Sequence, residues 1–247
     1  MKQLYTIILV VCGCFPALAQ TYIKPFVGGN FSSRIFKSEY PARQDSLNKT
    51  DKIKLFPTAG VQFLFEKNSG KEFMIGIGYS EMGFKRERLD YQFLDTVHPD
   101  LGPIYDLSQA AQKNAYFTYR YNYLEVPIGM NLQFTPRQYN HIFTGWFNVA
   151  VIPQLLLKEH MTIFLQGFSM KGKTDYDFKN TGFNAAKFNA SLQSGGRFDF
   201  AINKRTWVTA DALFRMHLLS TASNNIEKFR LWNFSVNLGI RYEISGN

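Results

Sequence analysis

The chain has 247 residues with 28 basic against 19 acidic side chains, and its mean hydropathy is only -0.20 despite 24 Phe and 13 Tyr. That length suits one ordinary domain or one barrel. Beyond Gln20 no run of roughly 18 apolar residues occurs, which excludes a transmembrane helix. So many aromatics at so polar an average point instead to alternation of polar and apolar residues.

The first element is a leader. MKQLYTIILVVCGCFPALAQ carries Lys2, an apolar stretch from Tyr5 to Val11, and Ala17-Leu18-Ala19 before Gln20. This predicts a signal peptide over 1–19, cleaved after Ala19, and a mature domain over 20–247. The alternative is lipidation at Cys14 within Val11-Cys12-Gly13-Cys14, where Cys12 is out of place. Both cysteines lie in the leader, so the mature chain carries no disulfide, thiol nucleophile or thiolate metal site. Loss of Lys2 leaves 27 basic and 19 acidic residues, a formal charge of +8. Such a balance fits an anionic partner such as lipid phosphates, or simply a solvated basic surface.

Period-2 alternation then predicts strands near 22–33, 55–66, 72–84, 117–134, 140–157, 186–200, 205–217 and 230–244. Each has one apolar face. Val61, Phe63 and Phe65 oppose Gln62 and Glu66 in the second, and Phe147, Val149 and Val151 oppose Trp146 and Asn148 in the fifth. Phe234, Val236, Leu238 and Ile240 oppose Ser235, Asn237 and Arg241 in the last. Short connections (67–71, 135–139, 201–204) alternate strictly with longer polar ones (34–54, 85–116, 158–185, 218–229). That asymmetry predicts an all-β fold, an eight-stranded antiparallel up-and-down transmembrane β-barrel with both termini on the short-turn side. A sheet that spans hydrocarbon must close on itself, so its outer face is apolar and its polar residues turn inward.

The predicted lumen is rich in both charge signs: Lys24, Glu66, Glu125, Arg197, Asp199, Asp211, Arg215, Arg241 and Glu243. Eight strands enclose a space that side chains can fill. The expectation is therefore a packed network of ion pairs and amides instead of an open pore. Tyr119, Tyr121, Phe143, Trp232 and Tyr242 fall toward strand ends, where an interfacial aromatic girdle is expected.

Three segments resemble a known family. YNYLEVPIGMNLQF (121–134), FNASLQSGGRFDF (188–200) and NFSVNLGIRYEI (233–244) are similar to strands of the PorT-like outer-membrane β-barrels of the Bacteroidota. The resemblance covers roughly residues 20–244. It implies an eight-stranded barrel in the outer membrane, and the member that names the family is a component of a secretion and gliding apparatus.

Candidates for chemistry are few. Of the histidines, His98 and His160 fall in predicted outer loops and His141 beside a turn, while His217 ends a strand on the lumen face near Ser220. A Ser/His pair of that kind is used by lipid-hydrolysing barrels, but there it faces the lipid; no enzyme is expected here. DTVHPD (95–100) clusters Asp95, His98 and Asp100, more simply a solvated loop than a metal site, and no cofactor is expected. The basic stretch 33–54, with Arg34, Lys37, Arg43, Lys49, Lys52 and Lys54, reads as a mixed-charge loop that meets lipopolysaccharide headgroups or solvent, not nucleic acid. The expected role is structural or interactive. Outer loops would form the contact surface, 85–116 foremost with Pro99, Pro103 and YDLSQAAQ (105–112), and envelope lipids, lipopolysaccharide or other envelope and secretion proteins would be the partners. A soluble lipocalin-like barrel, apolar inside, is the distant alternative.

Overall fold

A computed structural model describes residues 20–37, 49–67, 70–91, 113–135, 142–166, 174–177, 185–222 and 228–245. The predicted leader (1–19), the 95–100 cluster and the 105–112 segment lie outside the described residues.

The wall is built from β1 (Gln20–Lys37), β3 (Lys54–Lys67), β4 (Lys71–Tyr91), β5 (Lys113–Glu125) with β6 (Ile128–Gln133), β7 (Phe143–Gln166), β9 (Phe188–Asn203), β10 (Thr206–His217) and β11 (Lys228–Ser245). Two short strands, β2 (Asp51–Lys52) on β4 and β8 (Thr174–Asp177) on β7, lie where the sequence reads as loop. β5 and β6 are one barrel strand. Pro127 has no N–H to donate, so the ladder breaks there. Register continues across the break, with Gly78 opposite Glu125 and Ile75 opposite Ile128. The Val126 N–H to Pro153 O and Gly76 N–H to Pro127 O bonds, both 3.0 Å, hold the gap.

Consecutive strands pair antiparallel, and β11 pairs β1, which closes the ring. The register fixes its shape. From Tyr22 the cross-strand partners run Leu64, Met74, Gly129, Ala150, Gln193, Arg215 and Asn233, and return to β1 at Ser32. A return displaced from Tyr22 to Ser32 around eight strands tilts them by about 40° to the barrel axis.

Polarity is that of a transmembrane barrel. Val27 is 65% exposed and Leu238 59%, while Asn30, Asp199 and Asn233 are fully buried. The outward apolar belt continues around every barrel strand, as the alternation predicts. A lipocalin-like barrel needs the inverse, so that alternative is set aside.

Several strands outrun the belt at the end that carries the long connections. On β4 the outward residues are Phe73, Ile75, Ile77 and Tyr79, yet the strand continues to Tyr91. There the interior also changes character. Phe36, Met82, Phe84, Tyr121, Tyr123, Phe229 and Leu231 form a buried apolar cluster. Two girdle expectations are corrected by it. Tyr121 is 2% exposed within the cluster, and Tyr119 stacks on Phe84 with ring centroids 4.5 Å apart. Both share the inward parity of Tyr123 and Glu125, whereas Trp232 and Tyr242 do face outward.

Gly28 and Gly29 separate tight from tolerant positions on the closing strand. A Cβ at Gly28 would lie 2.2 Å from Asn237 Oδ1 and 2.3 Å from the Val236 carbonyl, whereas one at Gly29 meets the movable Leu55 Cδ1 at 2.7 Å. Gly28→Val is therefore expected to break the β1–β11 seam and abolish the compact, fast-migrating form of unboiled refolded protein on a gel. Gly29→Ala retains it.

Candidate functional site

At the short-turn end two arginines meet three carboxylates drawn from different strands. Arg197 on β9 donates through Nη1 to Glu72 Oε1 at 2.6 Å and through Nη2 to Oε2 at 3.2 Å. Its Nε lies 2.9 Å from Asp199 Oδ1, close enough for charge attraction although not aligned as a hydrogen bond. Arg241 on β11 donates to Asp199 Oδ2 at 3.0 Å and Glu66 Oε2 at 2.7 Å, and its Nη2 lies 3.0 Å from Glu72 Oε2. Aromatic faces cover the cations. The Arg241 guanidinium sits 3.7 Å from the Tyr22 ring centroid, and Arg197 sits 4.8 Å from Trp146. A planar, weakly hydrated guanidinium suits this dry, stacked, forked setting better than an ammonium.

From Glu72 a chain of hydrogen bonds climbs the lumen. Asn131 donates to Glu72 at 2.5 Å, Asn148 to Asn131 at 2.6 Å, and Gln193 to Asn148 at 2.6 Å. Arg215 donates to Gln193 at 2.6 Å and to Glu125 at 2.8 Å. Gln154 then donates to Glu125, and Ser191 to Gln154, each at 2.8 Å. Each amide in the chain both donates and accepts, which meets the requirement that buried polar groups be paired. Beside it Lys24 bonds both Asp211 oxygens, at 3.0 and 2.8 Å. The free space lined by Lys24, Gln62, Asn148, Gln193 and Asp211 is only about 10 Å³, room for about one water.

Of the nine predicted lumen charges, Lys24, Glu66, Glu125, Arg197, Asp199, Asp211, Arg215 and Arg241 are all in this assembly. Glu243 is corrected: it shares the parity of Arg241 but lies at the half-exposed rim, where its N–H bonds the Arg205 carbonyl. Glu72, the most connected carboxylate, is missing from the sequence reading. Its parity with Met74, Gly76 and Ser80 marks it as inward, but it adjoins the KNSGK turn and reads as a turn flank.

Arg34 is a second correction. Expected in a solvated loop, it is buried over the Phe84 ring at 4.3 Å and bonds Asp51 at 2.6 Å, with Arg86 on the other Asp51 oxygen at 2.9 Å. His217 is 1% exposed, edge-on to Tyr123, with Nδ1 3.1 Å from Thr221 Oγ1. Ser220 Oγ bonds the Phe229 carbonyl at 3.4 Å instead, so the imidazole does not address Ser220. Among the described residues no three His, Cys, Asp or Glu side chains stand together as metal ligands.

No protein-family model matches the chain, and no curated protein matches it. Among solved structures it is similar to Neisserial surface protein A, at 9% identity over 91% of this chain and 97% of that one, with a TM-score of 0.40. The outer membrane protein OprG from Pseudomonas aeruginosa gives 9% identity over 93% and 97%, with a TM-score of 0.42. Ail of Yersinia pestis gives 11% over 90% and 99%, with a TM-score of 0.34. The fold rests on the chain's own closed register, not on likenesses this distant.

Truncating Glu72 leaves two buried guanidiniums under-compensated, so Glu72→Ala is expected to cost about 3–5 kcal/mol. Glu243→Ala at the wet rim should stay within about 0.5 kcal/mol. Urea unfolding of the refolded protein separates the two.

Proposed function

We propose that this is an outer-membrane β-barrel protein with a structural or interaction role. Its lumen is packed, and the end carrying the long connections supplies the contact surface. The observation that carries this reading is a closed eight-stranded ring whose exposed face is apolar and whose interior is polar. Only a hydrocarbon surround rewards that inversion, since it leaves no backbone group unpaired and no charge facing lipid. A filled lumen, with every barrel strand drawn into the network or the aromatic cluster above it, suits a scaffold better than a conduit. No catalytic role is proposed.

Resemblance of 121–134, 188–200 and 233–244 to PorT-like barrels supports a finer reading, membership of that family of the Bacteroidota. In that reading the contact partner is another envelope or secretion component. Co-purification of the detergent-extracted protein with such a partner is what separates a secretion component from a free-standing barrel.

The primary test is extraction and gel mobility. The protein is expected to resist carbonate washing of envelopes and to migrate faster unboiled than boiled. A carbonate-soluble protein without a mobility shift overturns the reading.

Depth gives a second expectation. Leu238 lies midway along the outward face of β11 and Ile244 at its short-turn end. Leu238→Arg should cost about 2–4 kcal/mol of folding into vesicles and Ile244→Arg about 0–1. Equal costs at the two depths would argue against a bilayer around the belt.

A further inference from the structure

The loop-side edge of the apolar belt carries an uncompensated row of cations. Lys37 ends β1 just past Ile35, directly opposite Lys228 on β11, and Arg230 stands opposite Ile35. On the adjoining face Lys52 of β2 stands directly opposite Lys85 of β4. Lys158 follows Leu157 where β7 leaves the belt. Lys37, Lys52, Lys158, Lys228 and Arg230 are exposed, and no carboxylate among the described residues pairs with them.

Two features make this more than a wet basic surface. Like charges directly opposite in a ladder sit about 5 Å apart and destabilise it. Here Lys37 faces Lys228 with neither charge paired among the described residues, and Lys52 faces Lys85, whose charge is shared with Glu87. The acids at this height are already committed: Glu87 to Lys85 at 2.9 Å, Glu81 to Arg120 at 3.6 Å, and Asp51 buried between Arg34 and Arg86. The short-turn rim also carries basic residues, among them Lys67 directly opposite Lys71 and Lys204 next to Arg205, and it serves as the comparison edge for position.

We propose that this edge is a binding collar for the phosphate groups of a phosphorylated glycolipid in the surrounding outer leaflet. The cations border the apolar belt, where a lipid's acyl chains lie against Ile35, Leu55 and Trp232 while its phosphates reach the lysines. A multiply phosphorylated headgroup bridges each like-charged pair and removes its repulsion. Clustered Lys and Arg beside a membrane-spanning segment attract anionic lipid with roughly additive strength. The proposal rests on the membrane-barrel reading.

The test uses the full mature chain refolded in detergent, with bisphosphorylated lipid A, enzymatically dephosphorylated lipid A and inorganic phosphate as probes. Native mass spectrometry and binding titration read the outcome. Wild-type protein is expected to retain bisphosphorylated lipid A about tenfold to a hundredfold more tightly than the dephosphorylated form, with affinity falling as salt rises. Inorganic phosphate should not displace it. Replacing Lys37, Lys52, Lys85 and Lys228 by Gln should erase that preference, while Lys204→Gln with Arg205→Gln at the other rim keeps it. Equal binding of the two lipids by wild type overturns the collar, and so does an unchanged preference in the quadruple variant. Displacement by inorganic phosphate overturns the lipid assignment. All of these are read on protein that shows the mobility shift. Absence of the shift in wild type sinks the barrel reading itself, a separate result.

Discussion

Backbone hydrogen bonding in a solvent that offers none is the constraint from which the rest of this structure follows. A strand edge facing hydrocarbon leaves a row of N–H and C=O groups without partners, and the only sheet without an edge is a closed one. Closure between β1 and β11 ties strand number to stagger, and these together set tilt and bore. The bore is narrow enough for side chains from opposite walls to touch. Whatever points inward must therefore fill the space and pair with whatever faces it. Pro127 shows how strictly the rule holds: where the ladder breaks at this residue, other backbone groups bridge the gap on both sides.

The inward charges do more than fill. Arg241 on β11 reaches Glu66 on β3 and Asp199 on β9, and Arg197 on β9 reaches Glu72 on β4, so the contacts cross the barrel instead of following the wall. Buried ion pairs are poor evidence of net stability, because desolvation offsets much of the attraction. Their effect on register is clearer. A one-residue slip of β11 would turn Arg241 to the outside and Ile240 into the network, exchanging every side chain of the strand between faces. Bidentate and stacked geometry around Glu72 and Tyr22 leaves such a slip nowhere to settle. The network thus chooses among closures that backbone pairing alone leaves close in energy.

Much of this was legible as a period of two. The opposition of Phe234, Val236 and Leu238 to Ser235, Asn237 and Arg241 fixes the faces of β11 without any structure, and the alternation of short and long connections fixes topology. The failures have specific physical causes. Glu72 looks like part of a turn because charged residues flank it, and only its parity with Met74 and Ser80 places it inside. Glu243 has the right parity but sits where the barrel opens to water. Arg34 and Tyr121 lie where strands continue past the belt, and there the rule that relates polarity to direction no longer holds. Pairings among lumen residues were beyond a sequence reading because they depend on stagger, which no local pattern encodes.

That change of rule occurs within single strands. On β5 the inward positions pass from Glu125 to Tyr123 and Tyr121, from a carboxylate bonded to Arg215 to rings packed on Phe229 and His217. Outward positions of the same segment pass the other way, from Leu124 to Asn122 and Arg120. Inside and outside exchange character at one height because the surroundings do. Beside lipid the wall is greasy outside and polar within, and beyond it the wall obeys the ordinary logic of a protein in water. The aromatic cluster is then the core of a water-exposed extension, and Arg34 among its rings, paired to Asp51, ties β2 to that core. The height of the exchange marks the membrane boundary in the wall itself, and the cationic edge lies at that height.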